Sequence, residues 1–125
     1  MSPTVSVVVP SYNSAAFIAE TMDSILAQTF TDFEVIVSDH SSTDGTWEIL
    51  QGYASDPRVR LVRNDPGGGA PANWKRVSAE ASGEYLKLVC GDDLIAPASL
   101  ERQVAPMVAD PSVVLVASPR KLIDA

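Results

Sequence analysis

Short apolar runs rich in β-branched residues recur along the chain at residues 5–9, 33–38, 59–62, 85–89 and 113–116. Runs this short, nearly continuously apolar rather than alternating, predict five strands buried on both faces. Between them the period changes. Residues 15–27 carry Phe17, Ile18, Met22, Ile25 and Leu26 on one side of a helix, with Asn13 or Ser14 available as N-cap. Residues 44–53 carry Trp47, Ile49 and Leu50 behind Ser42 or Thr43 as possible caps, and residues 72–81 form a weaker helical stretch closed by Gly83. A last helix starts at Pro97, where proline is tolerated, and ends at Asp110-Pro111. Alternating strands and helices predict an α/β fold, a mostly parallel sheet with helices on both faces.

In such sheets ligands bind beyond the carboxyl ends of the strands. Those ends read Pro10-Ser11-Tyr12-Asn13, Asp39-His40-Ser41-Ser42, Asn64-Asp65-Pro66 and Gly91-Asp92-Asp93, so polar chemistry gathers on one rim. Asp92 and Asp93 are the most costly of these. At an effective dielectric of about 20, two carboxylates roughly 5 Å apart repel by on the order of 3 kcal/mol, which calls for a cation or a solvated position. Mg²⁺ and Mn²⁺ prefer carboxylate oxygens and complete their shell with substrate phosphates, whereas the alternative is a turn that caps the following helix. Asp39 is placed either to accept a hydrogen bond from a nucleobase or to hold its own loop as an Asx turn. Tyr12 offers a flat face for stacking on a base or for covering the sheet edge. The run Gly67-Gly68-Gly69 fits neither phosphate-loop nor dinucleotide spacing and reads as a flexible loop; Lys75 and Arg76 behind it face a diphosphate or solvent. His40, the sole histidine, has no cysteine or histidine partner for zinc and receives no catalytic role.

Composition narrows the classes. A chain of 125 residues with 46% hydrophobic content suits one domain with one core. The net charge of −7 argues against nucleic acid and anionic membrane surfaces as partners. No run approaches the roughly 20 apolar residues of a membrane span, and the N-terminus lacks a signal-peptide layout, so a cytoplasmic location is the default expectation. The single cysteine, Cys90, agrees with a reducing compartment.

The ordered segments 5–13 (VSVVVPSYN), 24–30 (SILAQTF), 32–37 (DFEVIV) and 41–46 (SSTDGT), followed by Gly83-Glu84-Tyr85, Gly91-Asp92-Asp93 and Pro97, resemble the amino-terminal half of family 2 glycosyltransferases over nearly the whole chain. That resemblance implies the GT-A fold and transfer of a sugar from a nucleotide-diphosphate donor, most often a UDP-sugar, to an acceptor hydroxyl with inversion. It implies that Pro10 and Tyr12 line the base pocket, that Asp39 hydrogen-bonds the base and that Asn73 contacts the donor. Asp92 would match the metal-binding aspartate of the family's Asp-x-Asp motif, with Asp93 as its acidic neighbour and Mn²⁺ or Mg²⁺ as the ion. Cys90 stands where the motif's first aspartate commonly sits, and His40-Ser41 replace the usual Asp-Gly. The loop from Gly67 to Trp74 departs from the family's usual forms. The family's acceptor site and its catalytic base follow the fifth strand, so residues 1–125 are expected to form one donor-binding domain without the base. Self-association through an apolar surface near residues 113–123 is a further expectation. The rival classes are a non-catalytic nucleotide-binding or interaction module and a phosphoacceptor receiver domain, which would need acidic residues where Ser11-Tyr12-Asn13 stand.

Overall fold

The computed structural model describes residues 2–123. Its strands β1 (Val5–Ser11), β2 (Phe33–Asp39), β3 (Val59–Arg63) and β4 (Tyr85–Leu88) form one parallel sheet in the order β3-β2-β1-β4. Between and after them run helices α1 (Ile18–Leu26), α2 (Thr46–Gln51), α3 (Gly69–Ala79) and α4 (Ser99–Ala109). Alternate residues of the strands face opposite layers. Val5, Val7, Val9, Phe33, Val35 and Val37 pack against Ile18, Met22 and Ile25 of α1, Leu50 of α2, and Leu100 and Val104 of α4. On the other face Val8 and Ile36 pack against Val77 of α3. Helices therefore cover both faces, as the apolar runs predict.

The chain leaves β1 for β2 on one side and reaches β4 on the other, so the order reverses between β1 and β4. Pro10 sharpens that switch. Its carbonyl accepts from Gly91 N at 3.2 Å, so the N–H that proline lacks would have faced the same seam. The β1–β4 ladder ends there, and the seam opens into a crevice.

Sequence and structure differ at several places. Residues 113–116 form no strand: Val114 is 87% and Leu115 82% exposed, and β4 pairs with β1 alone. These residues flank a groove with Val104 and Met107 of α4 instead of forming a ladder along the open edge of β4. A β-branched composition favours extended backbone, but only a ladder partner makes a strand. Helix α1 starts later than expected and has no side-chain cap, because Asn13 Oδ1 accepts from Thr43 N and Ser14 Oγ donates back to Tyr12 O. Helix α3 starts earlier, at Gly69, where Gly67, Gly68 and Gly69 all have φ between 61° and 110°. Three consecutive left-handed residues make the tight entry that only glycine adopts without strain. Among the described residues no helix is long and apolar enough to cross a membrane.

At the opposite end of the sheet, Glu34 of β2 accepts hydrogen bonds from Ser6 Oγ (2.6 Å), Ser82 N (2.9 Å) and Ser82 Oγ (2.8 Å). Burial pushes its carboxyl up, but Ser6, Ser82 and the charge of Arg60 outweigh that and hold it below the ordinary 4.5. A carboxyl depressed in the folded state contributes stability above its unfolded pKa and loses it as pH falls through the folded value. Glu34→Gln is thus expected to lower stability at neutral pH by about 1 kcal/mol. Thermal melts from pH 7 to pH 3 should also show a shallower acid decline in the variant than in the parent.

Candidate donor-binding site

Two turns form the floor of the crevice, and each holds the other. Asn13, with φ 46°, donates its backbone N–H to Ser42 Oγ at 2.9 Å and accepts from Thr43 N on its Oδ1 at 2.9 Å. Ser14 N donates to Thr46 Oγ1 (2.9 Å) and Ala15 N to Asp44 Oδ2 (3.1 Å). Hydrogen bonds from Thr46 lead the causes that hold the Asp44 carboxyl below its usual range. The exits of β1 and β2 are thereby fixed relative to one another before any ligand arrives.

Above this floor lies a cavity of about 700 Å³ at the carboxyl ends of the strands. Pro10, Tyr12, Asn73 and Asp92 line it, together with His40, Trp74 and the Gly67–Gly69 entry to α3. Tyr12 is 59% exposed and meets the His40 ring edge to face, with centroids 6.4 Å apart. Its face is available to a planar ligand.

Asp39 does not line the cavity. It is fully buried, and its carboxylate accepts from Ser11 Oγ (3.0 Å), Ser42 Oγ (2.5 Å) and Ser42 N (3.1 Å), with Arg63 Nε at 3.7 Å. These bonds lock the loop after β2. Asn73 reaches the wall but is also heavily engaged. Its Oδ1 accepts from Ser38 Oγ (2.6 Å) and Asn64 Nδ2 (2.9 Å), and its Nδ2 donates to Ser11 O (3.2 Å). It ties α3 to the ends of three strands. Asn64 belongs to the polar rim read from the sequence, whereas Ser38 carries no role there; a serine at the end of an otherwise apolar run is its signal.

Asp92 reaches the cavity because Gly91 lets the chain leave β4 beside β1. A Cβ on Gly91 would lie 3.0 Å from Ser11 Cβ and 3.3 Å from Ile18 Cδ1, and its carbonyl accepts from Thr21 Oγ1 at 3.1 Å. Asp93 turns away from the wall, its N–H donating to Cys90 O at 3.0 Å. Burial, reinforced by Asp93 and then Asp92, pushes the Cys90 thiol up. Among the described residues no three His, Cys, Asp or Glu side chains cluster as a metal cage. One carboxylate with open positions nonetheless fits Mg²⁺ or Mn²⁺ shared with a diphosphate, since those ions bind through one or two carboxylates plus substrate phosphates.

No lysine or arginine lines the cavity. Lys75 and Arg76 lie outside its wall, and Arg76 pairs with Glu80 at 3.5 Å. Arg63 is spent on Asp39 and lies over the Trp47 ring at 5.3 Å. An anionic ligand here meets Asp92 with no basic side chain to offset it, which again favours a bridging cation.

Residues 6–124 match the family described as glycosyl transferase family 2. EpsE of Bacillus subtilis (strain 168) is 38% identical over 105 residues, covering 82% of this chain and 38% of EpsE. Residues 1–349 of Staphylococcus aureus TarS, in complex with UDP-GlcNAc, superpose with a TM-score of 0.79 at 31% identity, over 87% of this chain and 32% of that one. Mannosyltransferase PcManGT from Pyrobaculum calidifontis, in complex with GDP-Man and Mn²⁺, gives a TM-score of 0.80 at 33% identity, over 90% of this chain and 34% of its own. The chain thus spans 32–38% of the length of these relatives. Its parallel sheet and flanking helices are those of the GT-A fold, and the chain belongs to glycosyl transferase family 2.

Proposed function

We propose that this chain binds the donor of an inverting glycosyltransferase, a nucleotide-diphosphate sugar and foremost a UDP-sugar, together with Mn²⁺ or Mg²⁺. The observation that carries this is one cavity lined by both Tyr12 and Asp92, opening at the strand-order switch and, among the described residues, lined by no lysine or arginine. The base stacks on Tyr12, with Pro10 beneath it. The rigid turns around Asn13 and Ser42 hold Tyr12 in place, and Asp39 acts through them by fixing Ser11 and Ser42. Asp92 takes the cation, with Asp93 as its acidic neighbour. Bound there, the ion would neutralise charge building on the departing nucleoside diphosphate. Transfer then places the sugar on an acceptor hydroxyl. The group that takes the acceptor proton is not assigned to any of these residues. TarS in complex with UDP-GlcNAc and PcManGT in complex with GDP-Man and Mn²⁺ support both halves of the reading.

A panel of melts tests it. With Mn²⁺ present, a saturating UDP-sugar at about 100 times its Kd should stabilise the fold by about 2.7 kcal/mol, a shift of roughly 10 °C. GDP-sugars should give less, and acetyl phosphate, the probe for a receiver domain, none. A shift with acetyl phosphate and none with any sugar nucleotide would overturn the proposal.

A further inference from the structure

Buried polar side chains are almost always paired, and an exception at a cavity wall marks where a ligand atom belongs. His40 is such an exception. The residue is only 8% exposed, and both ring nitrogens are buried without a hydrogen-bond partner among the described residues. The neighbouring hydroxyls donate elsewhere. Ser11 and Ser42 donate to Asp39, Ser38 donates to Asn73, and Ser41 Oγ donates to Asn64 O. The backbone here is held, since His40 N donates to Ser11 O at 3.0 Å and Ser41 turns the chain with φ 55°. Tyr12 meets the ring only through its edge.

From these facts, and resting on the donor-binding reading above, we infer that His40 is a base-contacting residue that sets nucleotide specificity: one ring nitrogen hydrogen-bonds the edge of the nucleobase stacked on Tyr12. Its place on the sheet supports the base rather than the phosphates. His40 follows β2 and Asp92 follows β4, with β1 between them. Two strand spacings of ~4.8 Å separate these ends by about 10 Å, which leaves room for a ribose and the first phosphate between base and cation. A pyrimidine-dione edge carries carbonyl acceptors and a ring N–H donor, either of which satisfies an imidazole nitrogen. Asp39, which sequence alone offers for this contact, lies behind the wall, with Oδ1 shared by Ser11 and Ser42 and Oδ2 engaged by Ser42 N. His40 is the group beside it with unused capacity.

His40 is the chain's only histidine, so its ring nitrogens can be followed without ambiguity. In long-range ¹H–¹⁵N spectra of the untagged, ¹⁵N-labelled chain, saturating UDP with Mg²⁺ should move one ring-nitrogen resonance well beyond its linewidth. In parallel, His40→Phe should weaken UDP roughly tenfold to hundredfold, as expected for a base edge left without its buried partner. His40→Gln, which keeps a donor and an acceptor, should stay within a few-fold. The preference for UDP over GDP should fall in His40→Phe and not in His40→Gln. Ring nitrogens that stay put while the backbone amides around Tyr12 shift would overturn the inference and leave donor binding standing. So would full UDP affinity in folded His40→Phe. No shift at any amide would instead overturn donor binding itself.

Discussion

Asp92→Asn should remove the metal-dependent part of UDP binding while leaving the fold intact. The side chain is exposed at the cavity and keeps its size, so thermal stability should change by less than about 0.5 kcal/mol. Losing the one carboxylate on the wall should cost at least about tenfold in UDP affinity with Mn²⁺, the whole of what the bridging ion supplies. Without metal the variant should bind UDP no worse than the parent, and even slightly better, since a repulsive charge is gone. Asp93→Asn should behave differently. Its side chain lies off the wall, so the expected loss is less than about fivefold, through the weaker field at the site. Calorimetric titrations of both variants with and without Mn²⁺ check the asymmetry. Equal losses in the two would contradict the assignment of Asp92 as the principal ligand.

Asn73→Leu is expected to act first on stability. Its amide satisfies Ser38 Oγ, Asn64 Nδ2 and Ser11 O, all at the ends of strands, and the side chain is buried. A leucine leaves those three without that partner, at about 1–3 kcal/mol for each one that stays unpaired. Ser38 and Asn64 still bond each other at 2.6 Å, which recovers part. A net loss of about 3 kcal/mol, roughly 10 °C in Tm, is the expected result from denaturant or thermal unfolding. UDP affinity measured well below the melt should fall too, because α3 and the Gly67–Gly69 turn form one side of the cavity. A variant that keeps full stability and loses only affinity would make Asn73 a direct donor contact instead.

Much of this was legible in the sequence. Four of the five apolar runs are strands, and all four helices form, because period and β-branched composition report burial directly. The run at residues 113–116 shows where that fails: its composition is that of a strand, but pairing depends on a neighbour that local sequence does not reveal. Strand ends were read too short for a related reason. β1 continues to Ser11, β2 to Asp39 and β3 to Arg63, since ladder hydrogen bonds do not stop where side chains become polar. Of those extra residues, Pro10 and Ser11 line the cavity, while Asp39 and Arg63 brace the loops behind it.

The rim motifs named Pro10, Tyr12, Asn73 and Asp92, and the fold brings all four to one cavity. Motif spacing could not show which of them still have free hydrogen-bonding capacity. Asp39 and Asn73 look like ligand contacts by position, yet Ser11, Ser38, Ser42 and Asn64 already engage them. His40 looks inert for want of a metal-binding partner, yet its ring nitrogens are the ones left unpaired. Hydrogen-bond satisfaction is a property of the assembled loops, which motif spacing does not report.

The central claim is that Tyr12 and Asp92 bound a single site for a metal-bridged nucleoside diphosphate. Calorimetric titration of the folded chain with UDP, once with Mn²⁺ and once with a chelator, tests it most directly. One saturable site, at least about tenfold tighter with Mn²⁺, is the predicted result, the tenfold corresponding to roughly 1.4 kcal/mol from the bridging ion. UDP binding of equal strength in both conditions, or no binding in either, would contradict it.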